Sequence, residues 1–165
     1  MKIIIAGAGE VGTHLAKLLS KEGQDVILID PDETKLQVVD SNYNLMTIAG
    51  SPTTFKLLKE ANVKDADLYI AVTPFETRNI VSCSMAKGLG AKKTVARIDN
   101  LEFMKSEYTP FFKDMGVDDL IYPEYFASLE MMSALSHTWA RNWFELYNGE
   151  LILIGVKLRE NAKLI

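Results

Sequence analysis

The sequence is short of the residues on which several kinds of protein depend. One cysteine, Cys83, in 165 residues allows no internal disulfide and no cysteine metal cluster. That fits a reducing compartment, with Cys83 as a small buried residue. Only two histidines are available for proton transfer. His14 falls beside Val11 and Leu18 in a helical stripe and His137 in an aromatic segment, so both read as structural. A formal charge of -4 and an isoelectric point near 5.2, with no basic run beyond Lys92 and Lys93, leave no electrostatic footprint for nucleic acid. No stretch is apolar for the ~20 residues of a membrane-spanning helix, so direct membrane insertion is not expected. Met1 and Lys2 lead straight into a strand-like run instead of a signal peptide, which predicts a cytoplasmic location. Metal-ligand spacings, a YxxxK arrangement and a second substrate domain are all lacking, which weakens the case for an enzyme.

What is present is a repeated alternation. Short β-branched runs at 3–6, 25–30, 45–49, 68–72, 94–98 and 119–122 are separated by segments of helical character. The runs "IIIA", "DVILID", "LYIAV" and "TVARI" are apolar almost throughout, as in strands covered by helices on both faces. The pattern predicts an α/β, Rossmann-like, doubly wound and mostly parallel sheet over residues 1–122. Val11, Leu15, Leu18 and Leu19 form the apolar stripe of a first helix that Gly23 would end.

The strongest chemical signal is "IIIAGAGEVG", residues 3–12. Gly7 permits the turn off the strand, Gly9 lets a pyrophosphate approach the backbone, and Gly12 lets the helix pack closely on the sheet. Ala8, Glu10 and Val11 complete the loop, with the Glu10 carboxylate pointing outward or balancing a cation. Asp30 ends the second run, where it can accept bonds from ribose hydroxyls and repel a 2′-phosphate, favouring NAD or an adenosine nucleotide over NADP. Its alternative role is to cap a helix starting near Pro31. Further candidates lie after later strands: Gly50 and Ser51, then Thr73 and Pro74 within "VTPFETRN", and Arg97, a charge in an apolar strand that needs a partner. Thr73 could instead cap the helix that follows.

After Tyr122, Pro123 opens a segment whose Phe126, Leu129, Met132, Trp139 and Trp143 recur at roughly helical spacing. The stripe reads either as packing on its own sheet or as a subunit interface. The final "ELILIGVKLRENAKLI" reads as a strand without an evident partner, the expected mark of a chain that belongs to a longer protein.

These blocks, "KIIIAGAGEVGTHLAKLL", "VILIDPDETKL", "AGSPTTFKLLKEANVKDADLYIAVT", "ETRNIVSCSMAKGLGAKKTVARI" and "GVDDLIYPE", resemble the RCK or KTN nucleotide-binding domains of TrkA-type potassium uptake regulators along the entire chain. The resemblance implies binding of NAD(H), or of ATP, ADP or AMP, without turnover, by a regulatory subunit held at the inner face of the membrane through an integral-membrane potassium transporter subunit. It places the phosphates on Gly7 to Val11, the adenosine ribose on Asp30, and the rest of the ligand on Thr73, Pro74 and Arg97. It makes the apolar tail a crossover and dimerisation segment over 123–148, in homodimers that assemble into larger rings. Residues 149–165 become the start of a smaller C-terminal subdomain. Two competing readings remain: an NAD-dependent oxidoreductase lacking its substrate domain, and a methyltransferase binding S-adenosylmethionine.

Overall fold

The structure is a computed structural model, and it describes residues 1–40, 43, 45–147 and 149–157. Six strands alternate with helices: Lys2–Ala6 (β1), Asp25–Asp30 (β2), Met46–Ala49 (β3), Leu68–Ala71 (β4), Thr94–Arg97 (β5) and Asp119–Ile121 (β6). Each lies within one residue, at either end, of the run expected for it. Between them run helices Glu10–Lys21 (α1), Glu33–Asp40 (α2), Phe55–Glu60 (α3), Glu76–Gly88 (α4) and Thr109–Asp114 (α5). All pairings are parallel, in the order β3-β2-β1-β4-β5-β6. That order puts the reversal of winding between β1 and β4, where doubly wound sheets open a crevice beyond their carboxyl ends.

The alternation of side chains along the strands explains why both faces are covered. Ile4, Ala6, Ile27, Ile29, Tyr69 and Ala71 point to one face and pack with Leu58 of α3, Ile80 and Cys83 of α4 and Phe112 of α5. Ile3, Ile5, Val26, Leu28 and Ile70 point to the other and pack with Ala16 of α1 and Leu36 and Val39 of α2. Fully burying one such side chain contributes about 1.5 to 3 kcal/mol, so these two cores account for most of what holds the sheet. Cys83 is completely buried in the first, and burial pushes its thiol up to about 12.

Helix α1 uses only half of the stripe read from its large aliphatics. Val11 and Leu18 are 39% and 48% exposed, while Gly12 and Ala16 are buried and Leu15 and Leu19 partly so. The helix turns its smallest residues to the sheet because close approach, not side-chain bulk, sets its packing there.

The chain divides into two compact units, Met1–Tyr122 and Pro123–Ile165. In the second, helix α6 spans Pro123–Ser136 and stops short of the helical stretch expected to reach Trp143. Trp143 lies instead on strand β7, Asn142–Leu146, paired antiparallel with β8, Leu151–Gly155, so that Trp143 faces Ile154. The strand expected to lack a partner thus has one. The turn between them is carried by left-handed backbone at Tyr147 (φ 53°) and Gly149 (φ 89°). The i, i+4 spacing of Trp139 and Trp143 is an accident of sequence: the His137 ring stacks on Trp143 at 3.8 Å, and Trp139 meets the same indole edge-on. No residue of α6 is buried, and Met131, Met132 and Leu135 are strongly exposed. Residues 158–165 of the expected C-terminal segment lie outside the described residues.

At the opposite end of the sheet from the crevice, the Asp118 carboxylate ties α4 to the starts of β5 and β6. It accepts from Lys87 Nζ at 2.8 Å and from the Thr94 N–H at 2.8 Å. Burial pushes this carboxyl up, but Lys87 and Thr94 together outweigh it and hold it below the usual carboxylate range. A depressed carboxyl contributes stability above the unfolded-state value, near ~4, and loses it as pH falls through the folded one. Asp118→Asn should therefore lower the Tm at pH 7, and the melting curves of variant and parent should converge as pH drops towards 3.

Candidate functional site

At the carboxyl end of β1 the chain turns through Gly7, whose φ of 114° is in the left-handed region. A Cβ there would sit 3.0 Å from the Thr73 nitrogen, so the turn is also wedged against the end of β4. Gly12, in the first turn of α1, is tighter: an added Cβ would lie 1.8 Å from the Gly7 carbonyl oxygen. Gly9 is the opposite case. It is the N-cap of α1, has no side chain to satisfy the helix amides, and faces open space, with no atom within 4 Å of where a Cβ would stand. The first N–H groups of a helix have no intrahelical acceptors and carry its positive dipole end. An anion can therefore approach here along the backbone. Glu10 and Val11 are exposed in that first turn, and Ala8 is buried beneath it.

Asp30 is only 7% exposed, and both its oxygens are engaged. Oδ2 accepts the Ala8 N–H at 2.7 Å and Oδ1 accepts the Asp32 N–H at 2.9 Å. The carboxylate thus pins the glycine loop to the end of β2, and its remaining lone pairs can still accept from hydroxyls. It does not cap α2. That role falls to Asp32, whose Oδ1 takes both the N–H and the hydroxyl of Thr34. The Thr34 hydrogen bond is the main reason the exposed Asp32 carboxyl lies below its ordinary value.

The other expected residues come to the same edge in sequence of contact. Gly50 donates its N–H to the Asp30 carbonyl at 2.9 Å. Ser51 next to it is occupied internally, its hydroxyl 2.9 Å from that of Thr53. Thr73 is buried and Pro74 exposed. The Thr73 hydroxyl donates to Asn79 Oδ1 at 2.6 Å, so it serves that side chain and does not cap α4, whose N-cap is Phe75. Arg97 is half-buried at the end of β5. His14 is exposed on α1, where it lines a cleft of about 590 Å³ with Gly9, Glu10 and Tyr43.

Asn79 received no role from the sequence and is the best-connected side chain at this edge. Completely buried, it accepts from the Thr73 N–H at 3.0 Å and donates to the carbonyls of Thr73 and Arg97, each at 2.9 Å. It therefore bridges the ends of β4 and β5. The available signal was an amide three residues into an otherwise ordinary helix start, which alone is indistinguishable from a surface polar residue.

The contrast between two glycines of one loop is testable. Gly12→Ala should lower the Tm sharply, by the equivalent of about 1 to 3 kcal/mol or more, since a backbone carbonyl cannot give way as a side chain can. Gly9→Ala should leave the Tm nearly unchanged in a thermal melt. Equal effects would mean that α1 does not press on Gly7.

The TrkA-N domain family matches residues 3–123. The chain is 34% identical over 167 residues to the Trk system potassium uptake protein TrkA of Haemophilus influenzae, a match covering 100% of this chain and 36% of that protein. It is 29% identical over 161 residues to the Trk system potassium uptake protein TrkA homolog of Methanothermobacter thermautotrophicus, covering 98% and 72% respectively. The chain thus spans about a third of the Haemophilus protein and nearly three-quarters of the archaeal one. Among solved structures, the TrkA-N domain of inner membrane protein ybaL from Escherichia coli superposes with a TM-score of 0.69 at 15% identity, covering 81% of this chain and 96% of that one. The GsuK channel bound to NAD gives a TM-score of 0.62 at 15% identity over 73% of this chain and 21% of that one. At such identities the structures speak for the Rossmann-like fold, and the relatives and the family match speak for descent: this chain belongs to the TrkA-N domain family.

Proposed function

We propose that this chain is the nucleotide-sensing part of a cytoplasmic regulator of a membrane potassium transporter, and that it binds NAD(H) without turning it over. The observation that carries the reading is the open space over Gly9 at the N-terminus of α1, directly beside the buried Asp30 carboxylate. A pyrophosphate fits the first, where backbone N–H groups and the helix dipole meet it without a Cβ in the way. Ribose hydroxyls fit the second, and a 2′-phosphate would be repelled there, which favours NAD(H) over NADP(H). ATP, ADP or AMP would use the same phosphate and ribose contacts. Gly50, Ser51, Thr73, Pro74 and Arg97 surround the remainder of the ligand.

Support for the regulatory half comes from the relatives named as Trk system potassium uptake proteins, and for the ligand from the GsuK channel solved with NAD. The exposed apolar residues of α6 suit a homodimer contact, from which rings on a transporter could be built. Such a regulator acts only if its ligand binds two arrangements of the assembly with different affinity. The two redox states of NAD, or ATP against ADP, supply that difference. Among the described residues no helix is long and apolar enough to cross a membrane.

Titration calorimetry with NADH, NAD, NADPH, ATP, ADP, AMP and S-adenosylmethionine tests the proposal. NADH or an adenosine nucleotide should bind saturably, and bound NADH should keep its absorbance for hours. Steady oxidation would favour the oxidoreductase, and binding of S-adenosylmethionine alone the methyltransferase. Asp30→Ala should weaken NADH binding by about 1 to 3 kcal/mol, and Asp30→Asn should narrow the preference for NADH over NADPH. An unchanged affinity in both would remove Asp30 from the site.

A further inference from the structure

Helix α4 carries three polar side chains at i, i+3 and i+6, a spacing that aligns them along one face. Glu76 Oε2 accepts the N–H groups of Asp99 and Asn100 at 3.2 and 3.1 Å. Asn79, one turn on, holds Thr73 and the Arg97 carbonyl as described above. Ser82, a turn further, donates its hydroxyl proton to the Pro52 carbonyl at 3.0 Å. A serine has one proton to give, so the Tyr69 hydroxyl, which also meets Ser82, must donate to it. Tyr69 and Ser82 are 0% and 1% exposed, and burial keeps the phenol protonated and able to donate.

Apart from the Ser82 bond with the Tyr69 hydroxyl, these bonds from α4 end on backbone or on Thr73 and reach segments at the crevice edge: 52 after β3, 73 after β4, and 97, 99 and 100 at or after the end of β5. Pro52, Thr73, Asp99 and Asn100 lie past the last strand pairings, where the sheet ladder no longer aligns them, and Arg97 is the last paired residue of β5. We infer that α4 is the positioning element of the nucleotide crevice, with Glu76, Asn79 and Ser82 holding the segments after β3, β4 and β5 as one mechanical unit. This rests on the nucleotide reading for what the segments bind, and on the hydrogen bonds alone for their coupling. A ligand that draws in any one segment then displaces the helix and, through it, the other two.

Amide exchange of the chain followed by NMR reads the coupling directly, because Thr53, Thr73, Asp99 and Asn100 each have an N–H in the segments concerned. Without ligand, the four should open as one unit with a common protection factor, and NADH should raise all four together. The double variant Tyr69→Phe with Ser82→Ala removes both hydroxyls, so that no buried tyrosine donor is orphaned. In a unit that opens together it should speed the exchange of all four amides by a common factor of roughly five to ten, the value of one hydrogen bond, and leave a core amide such as that of Ile5 as it was. Glu76→Ala should likewise speed all four amides, and Glu76→Gln, which keeps an acceptor oxygen, should restore them. If the double variant does not fold, the Glu76 pair decides the matter. Acceleration confined to the segment whose bond is lost, acceleration that extends equally to the core amides, or four amides that already open independently would overturn the inference. Coupled exchange in a chain that binds no nucleotide would sink the nucleotide reading and leave α4 as the element that holds the edge together.

Discussion

A carboxylate buried at the end of a strand must have its charge met by hydrogen bonds, and this requirement at Asp30 organises the molecule. The bonds available are backbone amides, and the amides chosen are those of Ala8 and Asp32. Meeting the charge therefore fixes the path of the glycine loop on one side and the entry to α2 on the other. From the loop the constraint passes to α1, because Gly12 can approach the Gly7 carbonyl only while that turn is held. From Gly7 it passes to Thr73, against which the turn is wedged. Strand order, helix packing and the candidate site are thus linked through one side chain.

A parallel sheet solves the problem of its interior and leaves another at its edge. The ladder aligns β1 to β6 to their last residues, and just beyond them isolated main-chain bonds continue it, such as Gly50 N–H to Asp30 and Ile98 N–H to Ile121. The connections here are made by side chains reaching to backbone: Asp30 on one side of the switch between β1 and β4, and Asn79 with its neighbours on α4 on the other. The edge is consequently held by hydrogen bonds, whereas the core below it is held by apolar packing.

Much of this was legible in the sequence, for reasons that differ by residue. The six strands are continuous apolar runs, and Gly7, Gly9, Gly12 and Asp30 occur at spacings that short-range geometry dictates, so pattern suffices for them. Val11 and Leu18 misled because periodicity weighs large aliphatics, whereas α1 packs through Gly12 and Ala16. Trp143 misled because its distance from Trp139 mimics a helical turn, although "NWFEL" is equally good strand sequence. Asn79 and Ser82 were silent because their partners, Arg97 and Pro52, are distant in the chain and offer only main-chain carbonyls, which every residue has.

The burial of Cys83 has a consequence for the chemistry to which the chain can respond. A thiol raised to about 12 by its surroundings holds almost no thiolate near neutrality, and thiolate is the form that oxidants and electrophiles attack. Its Sγ donates to the Val95 carbonyl at 3.4 Å, a bond that only the protonated thiol can make. Cys83 itself is therefore a poor target for peroxide and for disulfide exchange. With Cys83 the sole cysteine and closed to attack, thiol chemistry is a poor way for this chain to read the redox state of its surroundings, and the oxidation state of a bound ligand is a better one.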